Sequence, residues 1–415
     1  MHNMRSLFTI ILTALLYSHN PGAITAQVSG CTDMLAINFD PSADINDGSC
    51  VYRDTSIAPD LSLDLAEKLE ETSGLIWWRD LLWTHNDDTD TRVYGIDREG
   101  LIQDSLLLKP PGNKDWEEIG QDKDFIYIAD VGNNATGLRD DLHILRFPKK
   151  VTSRDTIIPD TIWFRYEHQD TTAPSGTNNT DFDCEAFILM GDSIVLFTKE
   201  WLSMKTTCYI LPNTPGRYVA RAFDTIEVKG LITGASYLPD ERIVVMTGYT
   251  RTGQPFLYLL YDFVGKNFSG GNKRKIDIDE FFFQIEAITH VDMLNFYVTN
   301  ERFVRAPIID NPQGLHLFNL SAFLGLYING VRQLPVLKPG YEIKAFPNPF
   351  DTGLTIRVPS PLLGESAFIC DLRGTVVWKG ILSRETINIE ASSWPKGSYY
   401  LITRQQSIPL LKTVR

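Results

Sequence analysis

Carboxylates at a recurring position are the chemistry-bearing feature of this 415-residue chain. Glu117, Glu185 and Glu286 each open a short segment in which a polar residue precedes a small or apolar pair. The same pattern occurs at Ser73-Gly74-Leu75 and Thr233-Gly234-Ala235. Asp115 and Asp183 stand two residues ahead of two of the glutamates. Asn86, Asp130, Glu200 and Glu301 sit at or just after the ends of the apolar runs that follow. Gathered around one axis, so many like charges repel and are costly to strip of water. Water, protonation or a bound cation would relieve them, and Glu117, Glu185 and Glu286 are the candidate metal ligands. Oxygen donors without a His/Cys cluster suit Ca²⁺ rather than zinc, so a cation held here would be Ca²⁺; no other cofactor is expected. A metal there would polarise a phosphoester or lactone oxygen and acidify a bound water. The alternative is structural: the acids cap strand ends and pair with backbone N–H groups, Arg139 or Lys199. Other catalytic patterns are absent, with no GxSxG, HExxH, P-loop or GxGxxG. His85 and His290 stand alone and read as structural, and Trp77, Trp78, Trp83 and Trp116 read as core.

The elements that must position these acids are strands. Each motif is followed by an apolar run ending in polar residues, 13–15 residues from the motif's start: Leu81–Asn86, Phe125–Asp130, Ile194–Glu200, Ile243–Gly248 and Phe296–Asn300. The motifs begin 44, 68, 48 and 53 residues apart, the spacing of four-stranded blades. The sequence therefore predicts an all-β fold, a β-propeller of five or six blades over 55–335, with a large β-sandwich as the alternative. In a propeller the innermost strands line the central channel, which places the acids on its rim. A sixth blade would form from 305–335 with the segment near Leu61–Leu65. One short helix is expected over Asp64–Glu71.

The ends of the chain set its destination. Residues 1–27 read as a signal peptide, with Arg5, the apolar run Leu7–Leu16 and a cleavage site after Ala26. No later run has the length of a membrane span. The net charge of −13 argues against nucleic acid as a partner. Cys31 and Cys50 bracket a segment within 28–54 too short to bury a core, so a disulfide is its means of holding shape. Residues 338–415 carry a net +4 against −18 for 28–337, a change of sign that marks a domain boundary. Short alternating runs after it predict a small Ig-like β-sandwich, in which Cys370 is a buried, unpaired thiol.

Several stretches resemble known families. Gly30-Cys31-Thr32-Asp33 through Asp47-Gly48-Ser49-Cys50 resembles a cysteine-bracketed module of proteins exported by type IX secretion, departing from it at Asn46, where an Asp is usual. Phe346-Pro347-Asn348-Pro349-Phe350, Asp371-Leu372-Arg373-Gly374, Lys396-Gly397-Ser398-Tyr399 and Lys412 resemble the type IX C-terminal sorting domain. That resemblance implies an address read by the secretion machinery and delivery through the periplasm to the cell surface or beyond. Asp115-Trp116-Glu117-Glu118-Ile119, Asp183-Cys184-Glu185-Ala186 and Thr198-Lys199-Glu200 resemble a family of secreted propellers without a settled function. Cys184 stands where that family usually has Ala, which opens a Cys184–Cys208 disulfide within one blade. Two functions follow as expectations: a surface module that binds a protein or glycan, or a Ca²⁺-dependent hydrolase of phosphoesters or lactones at the channel mouth.

Overall fold

The computed structural model describes residues 28–109, 112–152, 156–172, 176–280, 282–328, 343–360, 363, 366–371, 375–403 and 407–413. The predicted signal peptide and Gly374 of the sorting motif lie outside them. Among the described residues no helix is long and apolar enough to cross a membrane.

Five blades, each built on four strands, form the central domain; the outer strands of blades two and three pair in parallel to make one eight-stranded sheet, and the short strands Thr156–Ile157 and Ser56–Ile57 edge blades one and four. The first is Thr72–Trp78, Leu81–Asn86, Arg92–Ile96 and Ile102–Leu108; the second is Trp116–Gln121, Phe125–Asp130, His143–Pro148 and Asp160–Tyr166. The third is Asp183–Met190, Ser193–Lys199, Thr206–Pro212 and Gly216–Ile226; the fourth is Leu231–Leu238, Ile243–Tyr249, Pro255–Tyr261 and Asn272–Ile278. The fifth takes Gln284–His290, Asn295–Glu301 and Gly314–Asn319 in sequence. Its outer strand comes from upstream, Leu61–Asp64, antiparallel to Gly314–Asn319. Innermost strands touch in ring order, and the fifth meets the first. The count is therefore five: the segment near Leu61–Leu65 completes the fifth blade rather than a sixth. Because that segment is spent on a strand, the helix expected over Asp64–Glu71 shrinks to a single 3-10 turn at Glu67–Leu69. A short helix unforeseen in the sequence, Ser321–Leu326, follows the fifth blade.

Between each pair of neighbouring blades lies one apolar cluster, five in all. Trp83 and Trp116 fill the one between blades one and two, and Phe187 and Tyr166 the next. Each such side chain contributes about 1.5–3 kcal/mol by leaving water. These clusters explain why Cys184 and Cys208 are separate free thiols and not the disulfide the family comparison opened. Both flank the strand Ser193–Lys199, opposite Thr198 and Phe197 respectively. Strands two apart lie about 9–10 Å from each other, beyond disulfide reach. The side chains also point to opposite faces, Cys184 toward blade two and Cys208 toward blade four.

Cys31 and Cys50 are bonded, and the stapled module docks on blade four. There Asn46 explains its departure from the module's usual Asp. Its Nδ2 donates to Asp262 Oδ2 (3.0 Å) and Asn272 Oδ1 (2.8 Å), which a carboxylate could not do. At the other end, a three-stranded and a four-stranded sheet enclose the core of the C-terminal sandwich. The sorting motif ties its first and last strands together. Asn348 donates to Pro409 O and accepts from Leu411 N, both within 2.9 Å. Lys412 lies over the Phe350 ring, which packs against Trp394 and Tyr399. Cys370 is a buried free thiol, as expected.

Candidate functional site

Every innermost strand carries a β-bulge at the equivalent place. The residue left unpaired is Gly74, Glu117, Glu185, Thr233 or Glu286 in blades one to five. A bulge inserts one residue and re-aims its side chain. This is the physical origin of the recurring polar-small-apolar motif. In blade one the extra residue is Gly74 at φ +65, where a Cβ would lie 2.6 Å from Ile119 N of the next blade.

Three of the five bulge residues are glutamates, and they share one buried cluster at the start of the innermost strands. Burial pushes Glu117 well above the usual carboxyl range, and Glu185, Asp115 and Asp183 push it further. Asp115 is raised to about 6, by burial first and Asp183 next. Gly132 lets these two approach: a Cβ there would lie 2.1 Å from Glu117 Oε1 and 2.2 Å from Asp115 Oδ2. The compensating cation belongs to the chain. Lys199, 4% exposed, donates to Glu185, and its ammonium lies 5.1 Å from the ring centres of both Trp201 and Tyr249. Burial alone would discharge it; Glu185 and its neighbours hold it charged. Asp183 is buried but accepts from Asn133 N (2.6 Å) and Trp201 Nε1 (2.8 Å).

The strand-end residues are placed on the same rim and then diverge. Asp130 pairs with Arg139 at 2.6 Å. Glu200 accepts from Thr198 (2.9 Å) and Ser203, so it serves its own loop. Asn86 donates to Lys68 O (3.0 Å), and Glu301 accepts from Gln284 at 2.9 Å. Of the expected trio, Glu185 bonds Lys199, Glu286 lies within reach of its charge, and Glu117 adjoins Glu185. Among the described residues, the three acids whose carboxylate oxygens all lie within 4.8 Å of one another are instead Glu71, Asp87 and Glu301. His85 is fully buried, its pKa lowered to about 4 by burial, and Trp78, Trp83 and Trp116 are core. His290 pairs with Ser236 at the far mouth.

Glu118 is the residue sequence reasoning passed over. It is buried on the channel axis, where Oε1 accepts from Ile119 N (3.0 Å) and Oε2 from Ala235 N (3.0 Å), with Leu75 N also near. One carboxyl thus ties blades one, two and four together. The doubled Glu117-Glu118 was its signal. Beyond it the far mouth is an apolar cavity of about 330 Å³, lined by Leu75, Phe187, Leu189, Tyr237 and Ile288 among others. Beside Lys199 opens a cleft of about 780 Å³. Trp201, Tyr249, Phe282, Phe303, Arg251 and Gln284 line it.

The fold and this rim define a five-bladed β-propeller with an acidic, lysine-bridged channel mouth. Residues 344–414 match the family described as the secretion system C-terminal sorting domain. The sorting domain marks the chain for type IX export to the cell surface or extracellular space, and for contact with that machinery. The chain matches no curated protein. Among solved structures it is similar to PorZ, an essential bacterial surface component of the type IX secretion system of Porphyromonas gingivalis. Identity there is 13%, the TM-score is 0.33, and the match covers 82% of this chain. The chain spans less than half of PorZ, 45% of its length. It is also similar to an aldose sugar dehydrogenase of Streptomyces coelicolor, at 11% identity and TM-score 0.38, covering 63% of this chain and 99% of that one.

Proposed function

We propose that this protein is a surface-delivered binding module that engages a glycan through the cleft beside Lys199. Its layout on this reading is a leader over 1–27, a stapled module over 28–54, the propeller over 55–335 and the sorting domain over 338–415. One observation carries the glycan reading. Phe282 and Phe303 lie parallel within 2°, ring centres 6.3 Å apart, on the wall of the 780 Å³ cleft. Flat aromatic faces suit the C–H faces of sugar rings, and Arg251, Asn178 and Gln284 offer polar partners for hydroxyls. A cleft of this size is in the usual range for ligand sites. The test is binding of the mature chain to an array of bacterial polysaccharides. Phe282→Ala with Phe303→Ala should weaken binding roughly tenfold or more; unaltered binding would remove the cleft from the argument. Capture of surface proteins with no glycan binding would replace the ligand class.

The second reading, a Ca²⁺-dependent hydrolase at the channel mouth, is favoured by the buried acids with raised pKa beside open space. It requires turnover of phosphoesters or lactones that depends on Ca²⁺ and is lost in Asp115→Asn. An absence of turnover across both substrate classes ends that reading.

A further inference from the structure

The acids at the mouth fall into two sets, and among the described residues the second has no buried cation: Lys68, which lines the same cavity, is exposed and lies over the Tyr94 ring. Glu71, Asp87 and Glu301 come from three separate segments: the strand-entry turn, the end of the first blade's second strand and the end of the fifth blade's second strand. Backbone bonds hold those segments together. Asp87 N donates to Glu71 O (3.1 Å), and Arg302 N donates to Glu70 O (3.0 Å). The Arg302 side chain turns outward to Glu70 and Asp310, and Lys199 is committed to Glu185.

Two further oxygens adjoin the trio with nothing to bond. Asn86, 5% exposed, lines the same cavity of about 520 Å³ as Glu71 and Asp87. Its Nδ2 is used, but Oδ1 is buried without a partner. Glu286, 3% exposed, has Oε1 buried without a partner, and its charge bears on both Asp87 and Glu301. A buried oxygen left unpaired is costly, and here two of them accompany three converging carboxylates.

We propose that Glu71, Asp87 and Glu301 form a Ca²⁺ site, with Glu286 Oε1 and Asn86 Oδ1 as further oxygen donors. The site is distinct from the lysine-filled set of Glu117 and Glu185, and goes beyond the glycan-binding reading. Hard carboxylate and amide oxygens supplied by loops and strand ends fit the flexible, many-oxygen coordination of Ca²⁺. Mg²⁺ demands a tighter octahedron and gives up its water reluctantly. The ion joins blades one and five at the seam where the ring closes, so its loading strengthens that seam.

The test uses the full mature chain, stripped with EDTA and titrated calorimetrically with CaCl₂ and, separately, MgCl₂. One Ca²⁺ per chain is expected, with Kd near or below about 1 mM as in extracellular sites, together with a rise in melting temperature. Asp87→Asn and Glu301→Gln should each weaken Ca²⁺ roughly tenfold or more. Both should leave the metal-free protein no less stable, because each removes a like charge. Glu185→Gln should leave Ca²⁺ affinity within about threefold, since it lies outside the ligand set. No Ca²⁺ uptake at millimolar concentration overturns the site. Uptake lost in Glu185→Gln but retained in Asp87→Asn overturns it too.

Discussion

Two acid clusters share one rim of the channel, and one of them has a lysine inside it. In the first, Glu185 bonds Lys199, Asp183 accepts from Asn133 and Trp201, and Glu117 adjoins both acids. In the second, Glu71, Asp87 and Glu301 face one another with no buried cation among them. The difference follows from where the acids come from. The first set arises from bulges repeated blade by blade, and Lys199 ends the strand paired with Glu185's own. The second is assembled at the seam, from elements that meet only when the ring closes.

The comparison can be broken at its strongest point first. Lys199→Met leaves Glu185 buried without its partner and should cost about 3–5 kcal/mol in chemical denaturation. Adding Glu185→Gln should recover much of that; if the single variant costs nothing, the first cluster is not lysine-compensated. Next in size is Gly132→Ala, whose Cβ would collide with Glu117 and Asp115. Overpacking of this kind costs about 1–3 kcal/mol by the same measurement.

A smaller effect sharpens the contrast through pH. Asp87 is raised to about 7 and Asp115 to about 6, by burial first and neighbouring acids next. A carboxyl whose folded pKa exceeds its unfolded value holds more protons when folded, so stability falls as pH rises through that window. Melting temperature in EDTA should therefore rise as pH is lowered from about 8 to about 6.5. Below about 6.5 two histidines should offset part of the gain, which persists until the carboxyls of the unfolded chain protonate at about 4. His85 and His316, each lowered to about 4 by burial, stay neutral in the fold while the unfolded chain takes up protons. Asp115→Asn should make the upper slope shallower, and a melting temperature flat from pH 8 down would contradict the buried charges. The least change is expected from Arg302→Ala. Its exposed pairs with Glu70 and Asp310 are screened by water, so the denaturation midpoint should stay within error. A clear loss would mean that Arg302 serves as the second cluster's counter-charge after all.

Much of the first cluster was legible because a bulge leaves a trace in sequence. Glu117, Glu185 and Glu286 recur with the strands that pair with them, and those strands were readable from periodicity. The blade count was not, because Leu61–Asp64 pairs with a strand some 250 positions away and carries no pattern that names its partner. Lys199 was readable as a structural partner for the acids, but its seat between Trp201 and Tyr249 depends on two blades meeting. Glu71 and Asp87 belong to no repeat position. Their convergence on Glu301 is a property of ring closure alone. Cys184 and Cys208 misled because sequence places them near each other while the pleat turns them to opposite faces.

The upstream strand Leu61–Asp64 has a consequence for how the molecule comes into being. It waits for Gly314–Asn319, so a nascent chain holds four completed blades and one orphaned edge until nearly the whole propeller has emerged. Contacts this distant in sequence slow folding, and an unpaired strand edge is a template for pairing with another chain. Once made, the same contact acts as a clasp. Neither end of the ring can peel away without dragging the other, and a chain cut short before Gly314 would leave Leu61–Asp64 without its partner strand.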